Sequence, residues 1–135
     1  MSVNVVHNPV DIAVSGLRAQ ALRINVISSN IANAFTTRTA SGEPYRRRDV
    51  VLATGADEMA GVDVLGVLAD MRSDFKRILQ PGHPHADKDG YVSLPNVEIP
   101  TEIMHLVAAS RAYQANAAVL KRYQEIVNAT VQLLR

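Results

Sequence analysis

Four residues with metal-binding side chains lie close together in one short stretch of the chain. His83 and His85 are followed by Asp87 and Asp89, and imidazole and carboxylate groups both bind zinc. A proline separates the two histidines, and the flanking residues are typical of a turn, so the pattern supports a metal site only weakly. The Asp-x-Asp-Gly fragment also lacks the further acidic ligands and the closing Glu of a calcium loop. We interpret the stretch as a polar loop and expect no metal and no other cofactor.

Three consecutive arginines, Arg46, Arg47 and Arg48, raise the question of nucleic-acid binding. Successive side chains of a strand point to opposite faces, so the three do not form one basic patch. The chain has 14 basic and 13 acidic residues and a net charge of +1, whereas nucleic-acid binding depends on a basic surface. We therefore expect no nucleic-acid partner. Arg46 and Arg48 share a strand face and are candidates to contact an acidic neighbour.

No set of residues suited to catalysis emerges from the sequence. The absence of cysteine excludes disulfides, thiolate zinc sites and cysteine nucleophiles. There is no Gly-rich phosphate loop and no Gly-x-Ser-x-Gly motif, and nothing brings the Ser, His and Asp residues together. The sequence therefore predicts that the protein is not an enzyme and has no small-molecule substrate.

The composition of the 135 residues suits one domain with long, thin packing. Apolar residues make up 47% of the chain, but it has only 2 Phe, 4 Tyr and no Trp, and large rings usually anchor a thick core. The segment 1–9 lacks the basic region and apolar run of a secretory signal. The sequence contains no run of about 18 apolar residues, so it predicts no transmembrane helix. We expect a protein that stays in the cytoplasm or leaves the cell without a cleaved signal.

The first of three predicted regions, residues 1–35, contains a helix from Pro9 to Phe35, with Asn8 as its cap. Its apolar residues alternate in steps of four and three, the rhythm of a coiled coil. This line contains Val10, Val14, Leu17, Ala21, Ile24, Ser28, Ile31 and Phe35.

The second region, residues 36–97, is a predicted small β insert. It opens with a polar loop over residues 36–44. Strands are predicted at Tyr45–Ala53, Gly61–Ala69 and Gly90–Leu94, with a turn of Gly, Pro and His residues at 80–85.

The third region, residues 98–135, is a predicted helix that runs from Glu98 or Pro100 to Leu134 and spans roughly 50 Å. The same rhythm continues through Ile99, Ile103, Leu106, Ser110, Tyr113, Ala117, Leu120, Gln124, Val127, Val131 and Leu134. A second apolar line contains Ala109, Ala112, Val119, Tyr123, Ile126 and Leu133. A helix that is apolar on several sides is surrounded, and a chain with two long helices cannot surround one of them. The missing neighbours are therefore expected to be other subunits.

The predicted fold class is mainly α with a small β insert, with the terminal helices paired in a coiled-coil-like hairpin and a short β-rich middle region. The alternative is that the apolar lines of the two helices pack against each other within a monomer, as an intramolecular hairpin. The residues that we expect to pack between subunits are Val10, Val14, Leu17, Ile24, Ile31, Phe35, Ile103, Leu106, Tyr113, Leu120, Val127 and Leu134.

Several motifs resemble those of the flagellar axial proteins. Residues 29–33, Ser-Asn-Ile-Ala-Asn, are similar to the end of the N-terminal helix in rod and hook proteins, and residues 111–116, Arg-Ala-Tyr-Gln-Ala-Asn, to the signature of their C-terminal helix. The middle of the chain resembles the basal-body rod family, specifically its proximal members. The motifs there are Gly-Glu-Pro-Tyr-Arg at 42–46, His-Pro-His-Ala-Asp at 83–87, Gly-Tyr-Val at 90–92 and Pro-Asn-Val at 95–97. The loop at 36–41 has no clear motif.

The resemblance implies a structural role. Members of the family pack their terminal helices into concentric layers of a hollow tube, the rod. The rod stands on the inner-membrane ring, crosses the periplasm and transmits torque to the hook. The implied partners are copies of the chain, other rod proteins, the inner-membrane ring and the export gate. Subunits pass through the flagellar type III export apparatus without signal cleavage.

Four polar residues of the family motifs are candidates for specific contacts: Asn30, Asn33, Arg111 and Asn116. Asn33 is expected to cap the first helix, because an Asn side chain satisfies backbone groups where a helix stops. By resemblance, the Asn residues are also candidates to bridge subunits. Arg111 either clamps a carboxylate across an interface or remains a solvated charge.

Three other classes of protein remain as rivals. A longer distal-rod or hook-type protein would carry a larger middle domain than this insert. A coiled-coil adaptor would form a discrete small oligomer and not an open tube. An enzyme would need a pocket with convergent polar groups.

Overall fold

The computed structural model describes residues 8–55 and 60–134. Two terminal helices flank a middle region of two separate two-stranded antiparallel sheets. The elements in chain order are α1 (Pro9–Ala32), β1 (Arg48–Thr54), β2 (Val62–Ala69), β3 (Lys76–Leu79), β4 (Tyr91–Leu94) and α2 (Ile99–Leu133). This arrangement confirms the predicted class of mainly helical protein with a small β insert. Within the described residues, neither helix combines the length and the apolar character that crossing a bilayer requires.

The ends of α1 are set by two asparagines. The Asn8 carboxamide accepts the N–H of Val10 at 3.0 Å, and Pro9 occupies the first helical position, as predicted. At the other end Asn33 donates its side-chain N–H to the carbonyl of Ser29 at 2.9 Å. The predicted capping role of Asn33 is thus confirmed. The helix stops at Ala32, so the prediction that it continues to Phe35 was too long by three residues.

The helix α2 begins within the predicted bounds and is more than ten residues longer than α1. Its N-cap residue, Glu98, makes no side-chain capping bond. The Glu98 carboxylate pairs instead with Lys76 at 2.8 Å, which ties the start of α2 to β3.

The two helices pack antiparallel, and small residues line their contact. Asn30 of α1 meets Glu102 of α2 at one end, and Gly16 lies against the side chain of Asn116 farther along. A Cβ on Gly16 would lie 2.7 Å from the Asn116 side-chain nitrogen, so the absence of a side chain permits this approach. The buried residues of the helices are Ala13, Gly16, Ala19, Ile27, Asn30, Glu102 and Ala109.

The line of contact on α1 differs from the predicted apolar line by about one residue. Ala13, Gly16, Ile27 and Asn30 each precede by one position a member of the predicted line. One residue is about 100° around a helix, so most of the predicted line lies beside the contact. Small side chains occupy the contact because they let two helix backbones approach closely.

The hairpin of β1 and β2 lies along α1. Its register runs from Arg48 opposite Ala69 to Thr54 opposite Val62, with one irregularity after Val51. The N–H of Val62 donates to the Ser15 hydroxyl at 3.0 Å, which fixes the hairpin to α1. Both strands were predicted.

The second sheet pairs β3 with β4, and only β4 was predicted. The four residues of β3 are half basic, and so short a segment shows no clear alternation. Gly90 turns the chain into β4 with a φ of +80°, a region that favours glycine. A Cβ at this position would also lie 3.1 Å from the ring of Pro81.

Candidate functional site: a buried polar junction

The end of α1, the start of β1 and the first turn of α2 meet at a buried polar junction. We use the term polar junction for Asn30, Tyr45, Arg47, Asn96 and Glu102. Asn30 and Glu102 are each 0% exposed. Buried polar groups destabilise a fold unless they are hydrogen-bonded, so the bonding of each one decides what the junction does.

Asn30 uses its full hydrogen-bonding capacity within the chain. Its side-chain nitrogen donates to Glu102 Oε2 at 2.9 Å and to the carbonyl of Arg48 at 2.8 Å. Its oxygen accepts the Tyr45 hydroxyl at 2.9 Å and the N–H of Arg48 at 3.0 Å. A carboxamide offers two donors and two acceptor sites. The Asn30 side chain therefore joins α1, β1 and α2 of its own chain.

Glu102 is neutralised by the guanidinium of Arg47. Arg47 Nε donates to Glu102 Oε1 at 2.6 Å, and Asp49 lies 3.4 Å from the same guanidinium. His105, one turn after Glu102, lies 3.7 Å from its carboxylate. Partial burial acts to lower the pKa of Arg47, but the hydrogen bond and the charge of Glu102 outweigh it and raise that pKa. The pair is an ionic link between the residue that precedes β1 and the first turn of α2.

Asn96 extends the polar junction into the insert. Its oxygen accepts the N–H of Arg47 at 2.7 Å. Its nitrogen donates to the carbonyls of Asp70 at 3.2 Å and Ser73 at 3.3 Å. Ala34, Tyr45 and Val97 form an apolar cluster beside it, with Ile99 packed against them. The polar junction therefore connects five segments of the chain: the end of α1, residues 45–48, residues 70–73, residues 96–97 and the first turn of α2.

The arrangement is mechanical rather than chemical. All of the side chains of the polar junction are engaged with partners in the chain, and none faces a substrate-sized space as a free nucleophile or base. What such a site can do is fix the register of the two helices and the orientation of the insert.

The three arginines at 46–48 point to three different environments. Arg46 stacks on the ring of Phe75 at 4.2 Å, and Arg48 lies 5.6 Å from the centre of the Tyr45 ring. Arg47 points into the polar junction. β1 begins at Arg48, so Arg46 and Arg47 precede the strand that was predicted to contain all three arginines.

The polar stretch from His83 to Asp89 forms a turn. His83 Nδ1 accepts the N–H of His85 at 3.0 Å, and His85 Nδ1 bonds to the hydroxyl of Thr37 at 2.8 Å. Asp87 pairs with Arg77 and accepts backbone N–H groups of the following turn. In the part of the chain that the structure describes, no group of three or more His, Asp or Glu residues is arranged to hold a metal ion.

The other motif residues lie on the helices. Asn116 packs its side chain against Gly16 at the helix contact. Arg111 is exposed, and no hydrogen bond or ion pair joins it to another described residue.

The residues predicted to pack between subunits lie at the edges of the helix contact or outside it. Phe35 is 74% exposed and Leu134 is 82% exposed. Half-buried members are Val10, Val14, Leu17, Ile24, Ile31, Leu106 and Leu120. Exposed members besides Phe35 and Leu134 are Ile103, Tyr113 and Val127.

Sequence reasoning missed most of the polar junction. Asn30 was singled out by its motif, but Tyr45, Arg47, Asn96 and Glu102 were not assigned a shared site. One signal was available: Glu102 lies four residues before Leu106 and so shares a helix face with an apolar residue. A carboxylate on such a face needs a cation beside it. That cation is Arg47, which lies 55 residues earlier in the chain.

Comparisons with known proteins identify relatives across nearly the whole chain. The family model described as "Flagella basal body rod protein" matches residues 11–38. The model described as "Flagellar basal body rod FlgEFG protein C-terminal" matches residues 88–133.

The relatives include several proteins named flagellar basal-body rod protein FlgC. The protein from Yersinia enterocolitica is 41% identical and aligns with 93% of this chain and 96% of its own length. The protein from Agrobacterium fabrum is 39% identical over 92% of this chain and 91% of its own. The protein from Borreliella burgdorferi is 36% identical over 93% and 95%. The alignments span α1, the insert and α2, and therefore include the whole polar junction.

Proposed function

The chain belongs to the FlgC family of flagellar basal-body rod proteins, and we propose that it is a structural subunit of the proximal part of the flagellar rod. Its role is structural and involves no catalysis. Many copies and other rod proteins assemble by helix packing into a hollow shaft that transmits torque. Interlocked helices share the torsional load, so no single contact has to be strong.

The exposed apolar surface of α2 is the observation that carries this proposal. Large apolar side chains lie exposed on several sides of this helix: Ile103, Met104, Val107, Val119, Ile126, Val127, Val131 and Leu133. Exposed large apolar side chains in this number are typical of a protein–protein interface. A helix that is surrounded by neighbouring subunits in an assembly is apolar on several sides in this way.

Each region of the chain has its own role in the proposal. Residues 1–35 and 98–135 form the helical core of the rod, and residues 36–97 form an insert that orients the subunit. The two helices interlock in a coiled-coil-like manner with those of neighbouring subunits, through the twelve predicted packing residues. Asn33, Arg111 and Asn116 add polar contacts between subunits, and small or polar residues in the helix faces help to fix the register.

The proposed location is the periplasmic rod of the basal body. There the partners are copies of the chain, other rod proteins, the inner-membrane ring and the export gate. The chain reaches this location through the flagellar export apparatus, as an unfolded chain and without signal cleavage. Helices that gain stability only when neighbours cover them are suited to this route.

Deletion of the gene tests the proposal. We expect loss of swimming, and electron microscopy of basal bodies should find the inner-membrane ring without a rod or hook above it. A plasmid copy of the gene should restore both. Normal flagella in the deletion strain would refute the role in the rod, and a ring that carries a partial rod would refute the proximal position.

A charge on the predicted packing face tests the mode of assembly. Leu120→Asp places a carboxylate on a half-buried helix position, and burying an unpaired charge costs several kcal/mol (about 3 or more). We expect normal expression without rod assembly, scored by swimming and by basal-body images. Lys121→Asp, at the adjacent exposed position, is the matched control and should assemble. Normal rods in the Leu120→Asp strain would contradict packing through this face.

A further inference from the structure

An apolar groove of about 380 Å³ lies on α2, beside the start of α1. The lining residues are Pro9, Ala118, Val119, Arg122, Tyr123 and Ile126. Val119 and Ile126 are exposed, although both belong to the second apolar line of α2. The charged member of the lining, Arg122, pairs with Glu125 at 3.0 Å. The groove is therefore complementary to a segment that is apolar and uncharged.

The chain itself passes the mouth of this groove. Pro9, the first residue of α1, is one of the lining residues. Asn8 is held beside it, because its side chain accepts the N–H of Val10 at 3.0 Å, and its backbone is extended, with φ −73° and ψ 123°. Residues 1–7, which lie outside the described part of the chain, are thus tethered next to the groove. So short a tether gives an effective concentration on the order of millimolar, which favours this segment over an occupant that another subunit must supply.

The length of the segment suits the length of the groove. Val119 and Ile126, the exposed apolar side chains of the lining, are seven residues apart on α2, which is roughly 10 Å. Three steps of an extended chain cover about the same distance, and three steps separate Val3 from Val6. Seven residues reach at most about 25 Å. Both valines are therefore within reach of the groove from Asn8.

The composition of the segment suits an apolar surface. Residues 1–7 are Met-Ser-Val-Asn-Val-Val-His and contain no Asp, Glu, Lys or Arg. Val3 and Val5 alternate with Ser2 and Asn4, a pattern that gives an extended chain one apolar side. Covering the groove with this segment would bury no unpaired charge, which is the costly event in such a contact.

We propose that the groove binds residues 1–7 of the same chain, with the valines of the segment packed against Val119, Tyr123 and Ile126. This inference goes beyond the role in the rod, because it assigns one side of the end of α2 to the chain itself. Exposed side chains on other sides, such as Val127 and Val131, remain for neighbouring subunits. In the isolated chain the contact is weak, because ordering seven residues costs at least as much free energy as burying three valines provides. Neighbouring subunits that cover the segment stabilise it in the rod.

Disulfide trapping tests the occupant, because the chain has no cysteine of its own. Val5→Cys combined with Ile126→Cys should give an intramolecular disulfide in isolated basal bodies, seen as a monomer of raised mobility on a non-reducing gel. Val5→Cys combined with Gln124→Cys is the matched control. Gln124 is exposed and lies two residues from Ile126, about 160° around α2. The control pair should form at least fivefold less disulfide.

The products distinguish the possible occupants. Disulfide-linked dimers in place of the intramolecular bond would show that a neighbouring copy supplies the segment, and they would overturn the proposal. Assembled rods without the disulfide, or with equal yields for the two cysteine pairs, would also overturn it. Either result leaves the role in the rod intact, because the chain is then still found in the assembled rod.

The purified chain provides a second test where a cysteine variant does not assemble. In a glutathione redox buffer, the disulfide between positions 5 and 126 should form with an equilibrium constant at least fivefold higher than that between positions 5 and 124. Adding Val3→Ser should reduce this preference at least twofold, because it removes an apolar side chain from the contact, whereas Asn4→Ser should keep it. A preference that Val3→Ser leaves unchanged would show that the tether alone brings the cysteines together, and would overturn the proposal.

Discussion

At the scale of single residues, the polar junction explains how one asparagine can hold three elements. Asn30 satisfies two donors and two acceptors with partners in the segment before β1, in β1 and in α2. A fully satisfied buried network is rigid and specific, whereas a half-satisfied one destabilises the fold. The directional bonds therefore select one arrangement of the two helices and the insert.

Replacing Asn30 by Ala should destabilise the fold more than any other asparagine substitution in the helices. The change leaves the Tyr45 hydroxyl, the backbone of Arg48 and one oxygen of Glu102 without their partner. We expect a loss of about 3 kcal/mol in the free energy of unfolding, measured with urea on the purified chain. Asn128→Ala, at an exposed helix position, is the control and should change stability by less than about 0.5 kcal/mol.

Asp87 makes the turn before β4 sensitive to acid. Its pKa is lowered from 3.8, first by the backbone N–H of Tyr91 at 2.8 Å, against a smaller effect of desolvation, and further by the N–H of Asp89 and by Arg77. A lowered folded pKa means that the stabilisation is present above the ordinary pKa and is lost as pH falls through the lower value.

An NMR titration of the Tyr91 amide measures this effect. Its chemical shift should follow one proton with a midpoint below 3.8, and Asp87→Asn should abolish the transition. Asp89→Asn leaves the carboxylate of Asp87 and its bonds in place and should keep the midpoint below 3.8. A midpoint at or above 3.8 in the unsubstituted chain would contradict the assignment.

At the scale of the elements, the two helices contact through small residues and leave their larger side chains at the edges. Gly16 and Ala13 lie at the contact, whereas Val14 and Leu17 remain half-buried beside it. Close approach brings the backbones together with little apolar area per residue. The large side chains are left free for other surfaces, and this division suits a chain whose helices have more than one partner.

A side chain at Gly16 should therefore separate the helices. In Gly16→Val the new Cβ would lie 2.7 Å from the Asn116 side chain, and overpacking of this kind costs about 1–3 kcal/mol. We expect a lower thermal midpoint of the purified chain and loss of swimming. Ala129→Val, at an exposed position of α2, is the control. It lowers stability only through the weaker helix propensity of valine and should retain function. If the Gly16→Val chain has the same thermal midpoint as the unsubstituted chain, the close contact of the helices at Gly16 does not contribute to stability.

At the scale of the whole molecule, the stabilising contacts are concentrated at one end. The polar junction and the apolar cluster of Ala34, Tyr45 and Val97 lie where α1 ends and α2 begins. At the opposite end the last turns of α2 pass beyond Pro9, and Leu133 is 87% exposed. Stability should therefore fall along α2 from its first turn to its last.

Amide hydrogen exchange of the isolated chain tests this gradient. Amides near Glu102 should exchange slowly, at a rate set by global unfolding, and those after Tyr123 should exchange at least a hundredfold faster. In assembled basal bodies the distal amides should become protected, because neighbouring subunits cover them. Full protection of the last turns in the isolated chain would show that they need no neighbour.

The sequence alone determined the order and type of most elements. The Asn-Pro pair marked the start of α1, and two β-rich runs predicted β1 and β2. Asn33 was predicted as a capping residue, although the predicted end of the helix at Phe35 was three residues too long. These signals are local, because caps and strand alternation depend on residues within a few positions. The motifs near both ends and in the insert likewise identified the family from linear order alone, as the alignments confirm.

The tertiary structure decided which helix faces meet and which polar groups share a site. The contact line on α1 is displaced by one residue from the predicted apolar line. The spacing of apolar residues alone does not reveal that Gly16 and Ala13 permit the close approach of α1 to α2. Glu102 and Arg47 are separated by 55 residues, and Asn30 and Glu102 by 72. A buried carboxylate is stable only beside these partners, and no local pattern encodes a pairing that the fold itself creates.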